Sequence, residues 1–416
     1  MRIAHSSLVR LAFVLVAVFG FLAVSVPADA VTTSATVVPS PNSSSTDDNE
    51  LRSVSCVAQS WCLAVGTSYD GTANHALVER WDGTSWSILP SANSQLSGDT
   101  ILNSVSCVSV SWCIAVGTFD DGASTGPLME LWDGSSLSIQ REGGVPPGGI
   151  EQLNSVSCAS VSWCVAVGSI GATFNNQNTA YSWDGTSWNV MMPPSTPPNN
   201  EYWLSSVSCV SASSCVAVGG QFDGSVTRTS ALGWDGSTWS IVQTPNAGFS
   251  SDFLSGVSCV GTSFCLAVGT YIDSDWRTLA EVWNGATWSV LPSANAAEVD
   301  GIVPADGLKS VSCVTASSCV AVGDYSAGAA SQNFVATWDG SAWTIVPSEN
   351  AGTDANFLES VSCAADSSCV AVGRYSADVY RTLVLSMIES EPPTSSTTVP
   401  PTTAPDGDPV SPAFTG

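Results

Sequence analysis

The chain has 416 residues, 44% hydrophobic and only 11% charged, which is ample apolar material for large cores and excludes wholesale disorder. Its 36 acidic residues stand against 10 basic ones, giving a formal charge of −26, and Lys309 is the only lysine. That balance repels phosphate backbones and anionic lipid surfaces, so no nucleic acid and no membrane, beyond an export leader, is expected as a partner.

The N-terminus reads as that leader. Arg2 and Arg10 flank the start of an apolar run from Leu11 to Val26, and Ala28-Asp29-Ala30 fits the small-x-small cleavage rule. The run is short for a spanning helix, so residues 1–30 are expected to be a cleaved signal peptide and the mature chain to begin near Val31. The predicted location is therefore secreted, extracellular or associated with the cell wall.

From Ser53 onward the chain repeats itself. A Ser-Val-Ser-Cys motif ends in Cys56, Cys107, Cys158, Cys209, Cys313 and Cys363; Cys259 follows Gly256-Val-Ser. Intervals between these leading cysteines are 51, 51, 51, 50, 54 and 50 residues. Each is followed six residues later by a partner: Cys62, Cys113, Cys164, Cys215, Cys265, Cys319 or Cys369. In an oxidising compartment seven such pairs read as seven disulfides, each bridging a short hairpin. Clustered thiolates or histidines would be needed for metal sites, and the mature chain has one histidine, His75.

Four strand-like segments fill each repeat. In the fifth they are Leu254–Val260, Cys265–Tyr271, Thr278–Trp283 and Thr287–Leu291, here called a, b, c and d. Strands c and d are joined by Trp81-Asp82-Gly83-Thr84-Ser85-Trp86 and its equivalents, an Asp-Gly or Asn-Gly hairpin signal. The flanking tryptophans recur at one position, which fits packing between units better than sugar-stacking platforms. A period near 50 residues with four short strands predicts an all-β, seven-bladed β-propeller with four antiparallel strands per blade.

The seventh repeat has a, b and c but no d. Ala35-Thr-Val-Val-Pro-Ser-Pro-Asn42 matches the d strands Trp239–Asn246 and Trp343–Asn350, so the last blade should be closed by an N-terminal strand. The propeller thus spans 31–390, followed by a Pro/Ser/Thr-rich disordered tail at 391–416.

Antiparallel strands put the a–b and c–d turns on one face and the b–c and d–a loops on the other. The first set is short and uniform. The second is long and varied, and includes the d–a loops Pro193 to Trp203 and Ser293 to Gly307. Variation on one face of a uniform scaffold marks where recognition would lie. Tyr202, Trp203, Tyr271, Asp273, Asp275, Trp276 and Tyr380 are the candidate ligand-binding residues there, since aromatics beside carboxylates suit sugars, peptides or calcium. Calcium is the one cofactor this composition leaves open; none other is expected.

Catalytic patterns are scarce. His75 has no triad motif around it and reads as a surface residue. No Gly-rich phosphate loop lies between a strand and a helix. Abundant carboxylates leave a glycoside hydrolase or lyase as the rival reading and a purely structural surface protein as a third. Binding is placed ahead of catalysis, with an extracellular glycan or protein as partner and a monomer as the expected state.

The Ala-Val-Gly strand followed by a Trp-Asp-Gly-x-x-Trp turn resembles the distant kelch or galactose-oxidase type of propeller across residues 35–390. Trp stands where that family has Tyr, the cysteine pair is extra, and the copper-ligating histidines are missing, so the oxidase activity is not implied. The turn also resembles the Asp-box of sialidase-like propellers, one residue short between Asp82 and Trp86. The Ser-Val-Ser-Cys…Cys-x-Ala-Val-Gly unit is similar to repeats of secreted actinobacterial proteins. That resemblance implies architecture and no activity.

Overall fold

The computed structural model describes residues 34–92, 98–142, 149–171, 176–194, 200–248, 250–296, 305–326 and 330–388. The expected signal peptide at 1–30, the Pro/Ser/Thr-rich tail at 391–416 and parts of the two long d–a loops lie outside them. Among the described residues there is no helix long and apolar enough to cross a membrane.

The described chain is all β. Blade 1 consists of strands a (Asp48–Ala58), b (Trp61–Tyr69), c (Asn74–Trp81) and d (Trp86–Leu89), paired antiparallel in that order. The same order repeats in blades 2 to 6. In blade 5 it runs Ser251–Gly261, Phe264–Ile272, Trp276–Trp283 and Trp288–Leu291, and in blade 6 Ala305–Thr315, Ser318–Ser326, Ser331–Trp338 and Trp343–Ile345. Strand a of each blade packs beside strand a of the next, so these strands form the inner ring and the d strands the rim. Strand b carries a continuous apolar run such as Cys62-Leu-Ala-Val because blades cover both of its faces. The apolar residues collect into seven clusters, one at each junction between neighbouring blades.

Blade 7 is assembled from both ends of the chain. Asn356–Ala365, Ser368–Ser376 and Tyr380–Ile388 supply a, b and c, and Ala35–Val37 supplies d. Ala35 pairs with Met387 and Val37 with Leu385, antiparallel. The residues after this strand also do a d strand's work. Asn42 Oδ1 accepts the Thr382 N–H at 3.0 Å, as Asn246, Asn295 and Asn350 do for Thr229, Thr278 and Asn333. The predicted closure is thus met residue for residue.

Two repeated motifs have structural explanations that only the fold reveals. In all seven blades the a–b register slips by one between the residues equivalent to Leu51 and Ser53, leaving a bulged residue between them. Opposite the bulge the strands come so close that the glycine of Ala-Val-Gly cannot be replaced. A Cβ on Gly66 would lie 1.9 Å from the Glu50 carbonyl oxygen. The serines of Ser-Val-Ser-Cys clasp adjacent inner strands. Ser53 Oγ and Ser55 Oγ accept the backbone N–H groups of Val105 and Cys107 in the next blade, at 3.2 and 3.0 Å. The pattern continues around the ring and closes from Ser360 and Ser362 to Val54 and Cys56. At the blade 5–6 junction Gly256 replaces the first serine, and only Ser258 Oγ to Cys313 N, 3.0 Å, remains.

All 14 cysteines are disulfide-bonded in the predicted pairs, at Cα separations of 4.0–4.1 Å between directly opposed residues. This fits an oxidising environment. In blades 1 to 6 the tryptophan ending the c strand donates its indole N–H to a carbonyl of its own blade's a–b turn, as Trp81 does to Gln59 at 3.1 Å and Trp234 to Ala212 at 3.0 Å. In five of these blades a second tryptophan across the c–d turn lies 5.6–5.8 Å away between ring centroids, and in blade 2 Leu137 takes its place. The recurring tryptophans therefore serve packing. The exposed His75 imidazole meets Asp70 Oδ2, 3.0 Å away.

Candidate functional site

The two faces differ as the loop lengths foretell, but not all b–c loops are varied. Those of blades 1, 2 and 4 fold into the same Asp-Gly turn that joins c to d. Asp70 N–H donates to Ala73 O as Asp82 N–H does to Ser85 O, and Gly71 and Gly83 have φ of 92° and 95°. In both turns the leading aspartate accepts hydrogen bonds from its own turn. Asp82 Oδ1 receives the Thr84 hydroxyl and the Thr84 and Ser85 N–H groups, holding this exposed carboxyl down at about 2. Asp70, Asp121 and Asp223 are held low by the same kind of bonding. These carboxylates serve their turns.

The real departures from the repeat lie on the inner ring. Six residues before each leading cysteine, strand a carries Glu50, Ile101, Gln152, Trp203, Phe253, Gly307 or Phe357. Opposite them strand b carries Thr67, Thr118, Ser169, Gly220, Thr270, Asp324 or Arg374. Blades 1 to 3 pair ordinary residues with small hydroxyls. In blade 4 Trp203 lies over Gly220, where a Cβ would come within 2.3 Å of the indole. Blades 6 and 7 place charges there on strand b, and blade 1 has Glu50 there on strand a.

Around blades 7 and 1 the charges are partnered. Arg374 Nη1 contacts Glu50 Oε1, and Glu359 Oε1 at 3.3 Å; Glu50 also meets Arg52 at 3.4 Å, and Arg52 Nη1 donates to Asn103 Oδ1 at 2.9 Å. The Arg374 guanidinium lies 4.9 Å from the Phe357 ring centroid and 5.2 Å from that of Tyr380. Between blades 5 and 6 the arrangement is open. Phe253, Thr270, Trp276, Gly307, Lys309, Asp324 and Ser326 line a depression of about 240 Å³. Burial raises the Asp324 carboxyl, against the pull of Lys309.

The candidate residues fall into three groups. Trp276 is 46% exposed and meets Phe253 edge-on at 6.4 Å, and Tyr380 stands on Arg374; both belong to this ring. Trp203 joins it in blade 4. Tyr202 and Tyr271 do not reach it. Tyr202 is a strand residue, 8% exposed, and Tyr271 is half-buried against the blade 4–5 cluster. Asp273 and Asp275 occupy the exposed turn before Trp276. Asp273 accepts the N–H groups of Ser274 and Asp275, the first of which chiefly lowers its carboxyl, and Asp275 accepts the Ser274 hydroxyl at 3.0 Å. Among the described residues no three His, Cys, Asp or Glu side chains converge as metal ligands. Phe253, Gly307, Lys309, Asp324, Phe357 and Arg374 were not legible as site residues until the repeats are compared column by column at that inner position.

No protein-family model matches the chain, and no curated protein matches it. Among solved structures it is similar to YCF48 bound to a D1 peptide, with 12% identity, 85% of this chain and 100% of that chain covered, and a TM-score of 0.48. By its own topology the chain is a propeller repeat protein, seven-bladed, with the seventh blade built from both ends of the polypeptide.

Proposed function

We propose that this is a secreted or cell-surface binding propeller that recognises an extracellular glycan or protein through its b–c/d–a face, with Trp203, Trp276 and Tyr380 among the contacts. The observation that carries this reading is the distribution of the departures from the repeat. Fourteen of the 16 tryptophans occupy three repeated scaffold positions, the first of strand b, the last of strand c and the first of strand d. The two that do not, Trp203 and Trp276, both lie on this face, together with three of the mature chain's few bases, Arg52, Lys309 and Arg374. A scaffold needs none of these, whereas recognition needs aromatic surface with a few placed polar groups.

The experiment is a glycan array and an extracellular-protein panel probed with the mature, disulfide-intact chain, alongside chromogenic glycosides. Specific capture without turnover, lost on Trp203→Ala or Trp276→Ala, is expected. Turnover abolished by a single Asp or Glu substitution would replace the binding reading with the hydrolytic one.

A further inference from the structure

We infer that the depression between blades 5 and 6 is a subsite for a single uncharged pyranose unit. The inference rests on the face reading above and narrows it. Its first support is how the depression arises. Gly307 occupies an inner-ring position filled by a larger side chain in the other six blades, including Phe253 and Phe357 on either side. Missing that side chain, blade 6 leaves a gap of about 240 Å³ beside an exposed tryptophan. This is below the roughly 300–1,000 Å³ of sites for drug-sized ligands and suits one ring.

The second support is the chemistry of the lining. A pyranose presents an apolar C–H face and a rim of hydroxyls that both donate and accept. Trp276, braced edge-on by Phe253, offers the flat apolar wall. Asp324 accepts, Lys309 donates, and the Thr270 and Ser326 hydroxyls do either. The side chains of Lys309 and Asp324 make no ion pair or hydrogen bond with one another or with any other described residue. Among the described residues neither is tied to a bonded partner that a ligand would have to displace.

The third support is charge. A cation would meet Lys309 and an anion Asp324, and an anionic chain would also approach against the field of a −26 protein. A peptide adding as a strand would need an open sheet edge; strand b is paired on both sides here, and strand a, paired with b alone, has the a strands of blades 5 and 7 packed beside it on the inner ring. An uncharged ring with hydroxyls satisfies both groups and opposes neither.

The test uses the mature, oxidised chain on an array of neutral and acidic glycans, then calorimetry with the best neutral oligosaccharide and with trigalacturonate. A neutral glycan should bind. Trp276→Ala should weaken it at least tenfold, and so should Gly307→Phe, which fills the gap with a residue that blades 5 and 7 already carry. Both variants should keep the parent's melting temperature and near-ultraviolet dichroism. Trigalacturonate should bind at least tenfold more weakly. Neutral binding unmoved by both variants but lost on Trp203→Ala or Tyr380→Ala would overturn the subsite and leave the face reading standing. Preference for trigalacturonate would overturn the uncharged ligand. No glycan and no protein captured, or capture insensitive to every one of these changes, would overturn both.

Discussion

Deleting Val31–Ser40 tests whether the ring is held shut by its N-terminal strand. Besides the strand ladder and a long Thr36 Oγ1–H to Ser386 O bond at 3.4 Å, the deletion removes five hydrogen bonds: Val38 N–H to Val384 O, Ala35 N–H to Pro347 O, Glu349 N–H to Ala35 O, Val37 N–H to Glu349 Oε2 and Ser40 Oγ–H to Glu79 Oε2, all between 2.6 and 3.0 Å. At a net of about 1 kcal/mol each they amount to roughly 5 kcal/mol. The strand also buries Ala35 fully and Val37 and Val38 in part. Losing roughly 150 Å² of apolar burial adds about 4 kcal/mol. Releasing six ordered residues returns about 1 kcal/mol apiece, for a net loss of roughly 3 kcal/mol. With an unfolding entropy of about 2 cal/mol/K per residue over roughly 350 residues, the melting point should fall by about 4–5 °C. Calorimetry of the oxidised protein reads this directly. The freed edge of strand c should also increase self-association. A synthetic peptide covering Val31–Asn42 should restore the lost transition. An unchanged melting temperature would refute the closure.

Three further outcomes are expected. Glu79 and Glu281 are pushed up to about 8 and Glu130 to about 7, chiefly by burial on the c strands. Groups raised in the folded state favour folding below the ordinary glutamate value and lose that contribution as pH climbs through 7–8, so melting temperature should be higher at pH 5.5 than at pH 9. Among the described residues Glu281 has no hydrogen-bond partner at either oxygen, and Glu281→Gln should flatten the alkaline decline by on the order of a few kcal/mol, read by melts across pH. Ser157→Ala removes the acceptor of the Cys209 N–H and should cost about 1–2 kcal/mol in urea unfolding, whereas Ser→Ala at the exposed Ser187 should cost almost nothing. Thiol titration of the native protein should find no free cysteine, and replacing Cys209 and Cys215 together by Ser should cost at most about 2.4 kcal/mol, since each bridge closes only a seven-residue hairpin.

The blade count, strand order, disulfide pairs and borrowed last strand could be read from the chain because each is a local pattern repeated or completed elsewhere in it. The inner-strand clasp could not. The Ser-Val-Ser serines read as punctuation before a cysteine, while their partners lie about one whole repeat away, as Ser53 and Val105 do. Tyr202 illustrates a second limit. It sits beside Trp203 in sequence, yet alternation along strand a sends one into packing and the other over Gly220. Gly307 illustrates a third, because a site can be made by a side chain that is missing. Asp70, Asp121 and Asp223 mark a fourth, since an aspartate in a recognition-face loop can have one carboxyl oxygen committed to its own turn.

The serine clasp has a direction. At every seam the hydroxyls belong to one blade and the N–H groups to the next, a head-to-tail joint that has no privileged first member. The clasp itself does not depend on where the polypeptide starts; the chain is opened between strands c and d of blade 7, and a permuted chain opened at another c–d turn, with its d strand likewise borrowed, should close as well. The joints are alike but not equal. Blades 5 and 6 share one hydroxyl clasp where other neighbours share two, so they are the pair that can shift against each other with the fewest hydrogen bonds broken. It is also the seam that carries the open depression.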